Sequence, residues 1–117
     1  MILGQNIWTL LIQSFTKKNR NLYFTKEFIT ETKKKGYVFL VEGYFDVLSL
    51  NKLGFSNAAS PSGTALTLQQ LESVARYTNK ILICFDNDEA GLKATQRVLE
   101  IKNQVSKELE IHCLDLP

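Results

Sequence analysis

Cysteine and histidine are scarce in this sequence, and the scarcity limits the kinds of metal site that it can build. Cys84 and Cys113 are the two cysteines, and neither belongs to a CxxC or similar metal-binding pattern. We therefore expect two reduced, buried thiols in a cytoplasmic protein. His112 is the one histidine, and no second ligand or nucleophile stands at a recognised spacing from it. It is interpreted as a packed or strand-edge residue rather than a catalyst.

Long hydrophobic runs are also missing. No run of about 18 or more apolar residues occurs, so no membrane span is predicted. The apolar segment 2–15 is interrupted by polar residues and lacks the basic start and cleavage site of a signal peptide. It is predicted to be an amphipathic helix that packs on a core. The 117 residues are 44% hydrophobic, which suits one compact domain and excludes a disordered tail.

The charge is small in total but uneven along the chain. The net charge is +2, and residues 1–35 hold seven basic side chains against two acidic ones, which leaves residues 36–117 with −3. The basic N-terminal part is suited to binding phosphate, and the acidic remainder is suited to binding metal. For the run Lys33–Lys35 taken alone, a solvated helix face is the favoured interpretation.

From residue 26 onward, helix patterns alternate with strand patterns. Helices are predicted over 26–35, over 45–53 as a mostly buried element, behind a Thr67–Gln70 capping box, and over 90–107. Apolar runs predict strands at 37–41, 80–85 and 109–114, with a weak strand at 56–60. The phenylalanines fall at core-like positions. The alternation implies βαβ units and an α/β fold with a parallel sheet. If strands one and three are neighbours, as in a 2-1-3-4 order, the chain segments that follow them converge.

Acidic residues follow the two best strands, where the carboxyl ends of a parallel sheet bind ligands. Glu42 and Asp46 come after the first strand, and Asp86 and Asp88 come after the third. Clustered carboxylates repel one another unless a cation lies among them, and Mg²⁺ favours such oxygens. Two such ions can support phosphoryl transfer. The alternative is structural, since Asp88 could cap the next helix and Glu42 could favour a helix N-terminus.

Other residues near the same edge are candidates for binding phosphate. Gly63 and Thr64 lie in a loop before a helix start, where backbone N–H groups can contact a nucleotide. An ordinary tight loop explains them equally well. Lys93 and Arg97 lie one helical turn apart after Asp88 and are suited to a triphosphate or a template strand. A solvated stripe is the favoured interpretation of these two residues. Gly91 permits close backbone approach, either near a metal or for tight packing of helix on sheet.

Three ordered motifs resemble the TOPRIM domain of bacterial DnaG-type DNA primases. They are VEGYFDV at 41–47, GTALT at 63–67, and FDNDEAG at 85–91 with Lys93, Ala94 and Arg97 after it. The resemblance covers about residues 36–115. It implies a TOPRIM (Rossmann-like) fold with a four-stranded, mainly parallel sheet flanked by helices and an N-terminal helical segment.

The same resemblance implies an activity and its residues. The family makes short RNA primers on single-stranded DNA from ribonucleoside triphosphates with Mg²⁺ or Mn²⁺, beside a replicative helicase. Glu42 would be a general base or metal ligand, Asp86 and Asp88 metal ligands, and Asp46 a supporting acidic residue. Gly63 and Thr64 would belong to the nucleotide-facing loop.

The resemblance also predicts how the chain is organised. Residues 1–35 would be a helical segment ending the basic polymerase subdomain, and 36–117 the TOPRIM catalytic subdomain, cut short before a further acidic motif. Two alternatives stay open. One is another TOPRIM enzyme, a topoisomerase or nuclease, and the other is a non-catalytic TOPRIM scaffold for protein contacts.

Overall fold

The computed structural model describes residues 22–61 and 65–114. The helix predicted over 2–15 lies outside the described residues, and so do Gly63 and Thr64. Helices and strands alternate along the described chain. The order is α1 (Phe28–Lys35), β1 (Val38–Val41), α2 (Tyr44–Lys52), β2 (Ala58–Ala59), α3 (Leu68–Ala75), β3 (Lys80–Cys84), α4 (Glu89–Ile101), a 3-10 turn (Lys102–Gln104) and β4 (Glu110–Cys113).

The four strands form one parallel sheet in the order β2-β1-β3-β4. β1 pairs with β3 so that Val41 stands opposite Cys84, and β1 also pairs with β2 through Leu40 and Ala59. The predicted fold class is confirmed, and the strands take the 2-1-3-4 order that makes β1 and β3 neighbours. The pairing of β1 with β3 matters for function because their carboxyl ends lie side by side.

Helices cover both faces of the sheet. Apolar side chains of α1, α3 and α4 join one buried cluster with Leu40 and Ile81 of the sheet. On the other face, Val47 and Leu50 of α2 pack with Val41 and Cys84. The sheet therefore lies between three helices and one, which is the layered arrangement expected of βαβ units.

Local signals explain where three helices begin or end. Gly36 and Gly54 follow α1 and α2 with φ of 80° and 94°, a left-handed conformation that glycine adopts at little cost. Thr67 and Gln70 form the predicted capping box at the start of α3, with each side chain bonded to the other's backbone N–H.

Several predictions of local structure were wrong in detail. The helix predicted to reach Lys107 ends at Ile101, because the chain turns through Lys102–Gln104 and Val105 is extended at φ −78°, ψ 137°. Val105 is nevertheless buried, so it continues the apolar period without continuing the helix. The weak strand is shorter than predicted, at two residues.

Burial differs from expectation at Cys113 and along α2, and the position of His112 agrees with its prediction. Cys84 is buried, but Cys113 is exposed because it lies on the edge strand β4. The helix α2 is less buried than predicted, since Tyr44, Phe45 and Leu53 are exposed and Val47 alone is fully covered. His112 lies on the same edge strand and contacts Glu110 at 2.7 Å, as its interpretation as an edge residue predicts.

Within residues 22–61 and 65–114, no helix is both long enough and apolar enough to cross a membrane.

Candidate active site

Glu42 and Asp86 are brought together at the carboxyl edge of the sheet. Glu42 directly follows β1, and Asp86 follows β3 after Phe85. The carboxylate of Glu42 accepts a hydrogen bond from the backbone N–H of Asp86. This bond joins the two acidic motifs into one site, although they are 44 residues apart in sequence.

The charge environment of Glu42 reflects that meeting. Partial burial raises the pKa of Glu42, and the negative charges of Asp86, Asp88 and Asp46 raise it further. The N–H of Asp86 acts in the opposite direction and lowers this pKa. Ionised Glu42 is thus disfavoured by burial and by three neighbouring carboxylates, which is the situation that a divalent cation relieves.

Asp46 and Asp88 each cap a helix as well as adding charge to the site. Asp88 Oδ1 accepts a hydrogen bond of 2.7 Å from the N–H of Gly91 at the start of α4. Asp46 Oδ2 accepts one of 3.2 Å from the N–H of Gly43 at the start of α2. The helix cap expected of Asp88 is therefore present. Each bond uses one of two carboxylate oxygens, so capping does not preclude a second role.

The donor set fits a hard divalent cation held partly by other ligands. No group of three His, Cys, Asp or Glu residues in the described part of the chain is arranged to hold a metal ion. The acidic residues present nonetheless offer carboxylate oxygens. Mg²⁺ commonly binds through one or two carboxylates, retained waters and substrate phosphates, so a complete protein cage is not required.

Gly91 sets how closely α4 approaches the acidic turn. A Cβ added at Gly91 would lie 1.7 Å from the carbonyl oxygen of Asp86, with the Asp86 carbonyl carbon at 2.7 Å. Because glycine has no Cβ, it is the residue that allows the backbones to approach so closely. Gly91 therefore serves the packing of α4 against the turn that carries Asp86 and Asp88.

A cavity of about 350 Å³ adjoins Glu42. Lys93 and Arg97 of α4 line it together with apolar side chains, among them Leu66 and Phe85. Arg97 Nε donates a 3.0 Å hydrogen bond to the carbonyl oxygen of Leu66, which ties α4 to the chain just after the undescribed residues 62–64. Lys93 forms an exposed ion pair with Glu89 at 3.3 Å. The basic side chains of Lys93 and Arg97 thus line the same cavity as Glu42.

Sequence reasoning missed one contact that shapes the site. The hydroxyl of Ser60 donates a 2.7 Å hydrogen bond to the carbonyl oxygen of Glu42 and so links the end of β2 to the end of β1. A serine after a weak strand carries no sequence signal for this role. The bond depends on the strand order, which brings β2 beside β1.

Comparison with known proteins finds a matching family model and longer similar proteins. The model of the Toprim-like family matches residues 39–117. A DNA primase of Rickettsia bellii is 37% identical over 102 residues, which are 86% of this chain and 17% of that protein. The chain therefore spans less than a fifth of the length of this relative.

Two solved structures are also similar to most of this chain. The Aquifex aeolicus primase, comprising zinc-binding and RNA polymerase domains, has a TM-score of 0.74 and 37% identity, over 86% of this chain and 24% of that one. A DnaG primase catalytic domain bound to single-stranded DNA has a TM-score of 0.72 and 30% identity, over 86% and 32%. The similarity thus covers most of this chain and a smaller part of each longer protein.

Proposed function

The chain belongs to the Toprim-like family, and from this premise we propose that it is the catalytic subdomain of a DNA primase. Its activity is metal-dependent nucleotidyl transfer, which makes short RNA primers on single-stranded DNA during replication. Residues 36–117 form this subdomain, and residues 1–35 are the end of a basic polymerase subdomain. The similar proteins that support the proposal are DNA primases.

The observation that carries the proposal is the contact between Glu42 and the backbone of Asp86. It unites two acidic motifs beside a cavity that Lys93 and Arg97 line. An acidic edge next to a basic cavity matches the needs of phosphoryl transfer, in which the triphosphate and its metal ions are held side by side.

We assign the acidic residues as follows. Asp86 and Asp88 hold Mg²⁺ or Mn²⁺ together with Glu42, and Asp46 supports them. When bound, the cation stabilises negative charge on the reacting phosphate. Glu42 alternatively acts as the general base that accepts the proton of an attacking 3′-hydroxyl.

The remaining residues bind the substrates. Lys93 and Arg97 contact the triphosphate or the template strand, and the N–H groups of Gly63 and Thr64 contact the nucleotide. The partners are single-stranded DNA, ribonucleoside triphosphates and a replicative helicase. The protein works in the cytoplasm, where replication takes place.

Calorimetric titration with Mn²⁺ tests the metal site. The variant is Asp86→Asn combined with Asp88→Asn, because asparagine keeps the helix cap of residue 88 while removing the charge. Glu89→Gln is the matched control, since Glu89 is exposed in the same turn and pairs with Lys93. We expect saturable binding in the wild type and the control, and none in the double variant. Equal binding in all three proteins would contradict the assignment.

An activity assay separates the proposal from other Toprim-like chemistry. The assay uses a longer primase chain that contains this subdomain, supplied with ribonucleoside triphosphates, a single-stranded template and Mn²⁺. Primers are expected when the subdomain is wild type but not when it carries the double substitution. Cleavage of supercoiled DNA without nucleotides would instead favour a topoisomerase or nuclease.

A further inference from the structure

Two aromatic rings at the start of α2 lie stacked in solvent. The centroids of Tyr44 and Phe45 are 4.4 Å apart with 27° between the ring planes. Their exposed fractions are 41% and 69%, and Phe45 is the most exposed phenylalanine of the described residues. Tyr23 extends the group, with its ring 5.8 Å from that of Tyr44. Tyr44 thus stacks against Phe45, and most of the Phe45 surface stays exposed.

The rings belong to the same edge of the sheet as the acidic residues. Tyr44 and Phe45 form the first turn of α2, directly after Glu42 and Gly43. Tyr23 is tied to this edge by two backbone hydrogen bonds with Ser60, of 2.7 and 3.0 Å. Ser60 in turn bonds the carbonyl oxygen of Glu42. The aromatic group and the carboxylates therefore share one framework.

We propose that Phe45, backed by Tyr44, is a stacking surface for the base of a nucleotide whose phosphates lie at the carboxylate edge. This inference rests on the proposed function and adds a base-binding subsite to it. Aromatic rings bind every base through its π-face and discriminate little between sequences. Tyr44 fixes the plane of Phe45 in advance, which reduces the entropy lost on binding.

The size of the exposed surface favours a base over a protein partner. A specific protein interface buries about 800 Å² on each side, whereas the exposed surface here is that of Phe45 and part of Tyr44. A purine or pyrimidine matches that area. The nearby carboxylates repel a phosphate that has no metal, so the base is expected to bind well only when a cation holds its phosphates.

The test compares ATP with inorganic triphosphate, each titrated into the 117-residue chain with Mn²⁺. The difference in affinity between the two ligands isolates the nucleoside. The variants are Phe45→Ala, Phe45→Leu and Phe45→Tyr, of which leucine keeps apolar area without a π-face and tyrosine keeps the ring. Leu53→Ala is the matched control, because Leu53 is 72% exposed and directly follows the last residue of the same helix.

We expect the wild type, Phe45→Tyr and Leu53→Ala to bind ATP about tenfold more tightly than triphosphate, in the range known for base–aromatic stacking. Phe45→Ala and Phe45→Leu should lose this preference and bind triphosphate normally. Equal affinity for both ligands in the wild type would overturn the inference and leave the metal site standing. Binding of neither ligand by the wild type would overturn the proposed function as well.

A second titration uses a twelve-residue oligothymidylate instead of a nucleotide. We expect the Phe45→Ala variant to bind this oligonucleotide as tightly as the wild type does. A loss of oligonucleotide binding with the ATP preference intact would overturn the assignment to a nucleotide and place a template base on Phe45.

Discussion

Gly91 is the residue at which a single added methyl group should disturb the site most. In Gly91→Ala, the new Cβ would meet the carbonyl oxygen of Asp86 at 1.7 Å, so α4 or the acidic turn must move. Overpacking costs about 1–3 kcal/mol, and alanine regains about 1 kcal/mol through helix propensity. Because this contact is unusually close, we expect a net loss of about 2 kcal/mol in the free energy of unfolding, measured with urea.

Gly43→Ala is the control for that substitution. Its added Cβ would lie 3.7 Å from Asp46 Oδ2, an ordinary contact, and the backbone there is extended at φ −124°. We expect a change below about 1 kcal/mol. Equal losses in the two variants would show that the close approach of α4 to Asp86 is not what Gly91 provides.

The two cysteines should differ strongly in reactivity. Burial raises the pKa of the Cys84 thiol to about 11, while Cys113 is exposed. The thiolate is the reactive form. At pH 8, a thiol with a pKa of about 11 contains on the order of 100-fold less thiolate than a thiol with the ordinary pKa of about 9. With iodoacetamide at pH 8, mass spectrometry of the native protein should find Cys113 alkylated first. Simultaneous labelling of both thiols would mean that β3 is accessible from solvent.

At the scale of elements, α3 depends on its capping box. Thr67→Ala removes the hydroxyl that accepts from the N–H of Gln70 at 3.1 Å, and we expect a loss of about 1 kcal/mol in urea unfolding. Thr67→Ser keeps the oxygen and should cost less than half as much. If both variants lose the same amount, the methyl group of Thr67 matters more than its hydroxyl.

The elements also show what sequence patterns can and cannot specify. Apolar strands and the Thr67–Gln70 cap were predicted correctly, because periodicity and capping act over a few neighbouring residues. The end of α4 was predicted wrongly, because Val105 is buried from an extended segment and mimics another helical turn. Phe45 was expected in a core, since its type suggests burial, but its position at the first turn of α2 leaves it in solvent.

The same distinction applies to the candidate site. Its location followed from acidic residues after two strands and from the general rule for parallel sheets. The bond of Ser60 to Glu42 and the tight contact of Gly91 with Asp86 were beyond the sequence, because both depend on the distance between packed elements.

For the whole molecule, the acidic residues at this edge lower the folding stability without metal and raise it when a metal binds. The carboxylates of Asp86, Asp88 and Asp46 all act unfavourably on ionised Glu42. Without a cation, this repulsion is present in the folded protein and relieved on unfolding. A ligand that binds the folded state alone reverses the effect by mass action.

Removing acidic charge from this edge should therefore raise stability without metal and abolish the stabilisation that metal provides. In metal-free buffer at pH 7, Asp86→Asn should be slightly more stable than the wild type, because one repulsive charge on Glu42 is gone. With Mn²⁺ at 100 times its dissociation constant, the wild type should gain about 2.7 kcal/mol, and the Asp86→Asn plus Asp88→Asn variant should gain almost nothing. Urea unfolding of the three proteins with and without Mn²⁺ measures both effects. Two results would contradict a cation-binding role of these carboxylates. One is a wild type that is more stable than Asp86→Asn in metal-free buffer. The other is a wild type that Mn²⁺ does not stabilise.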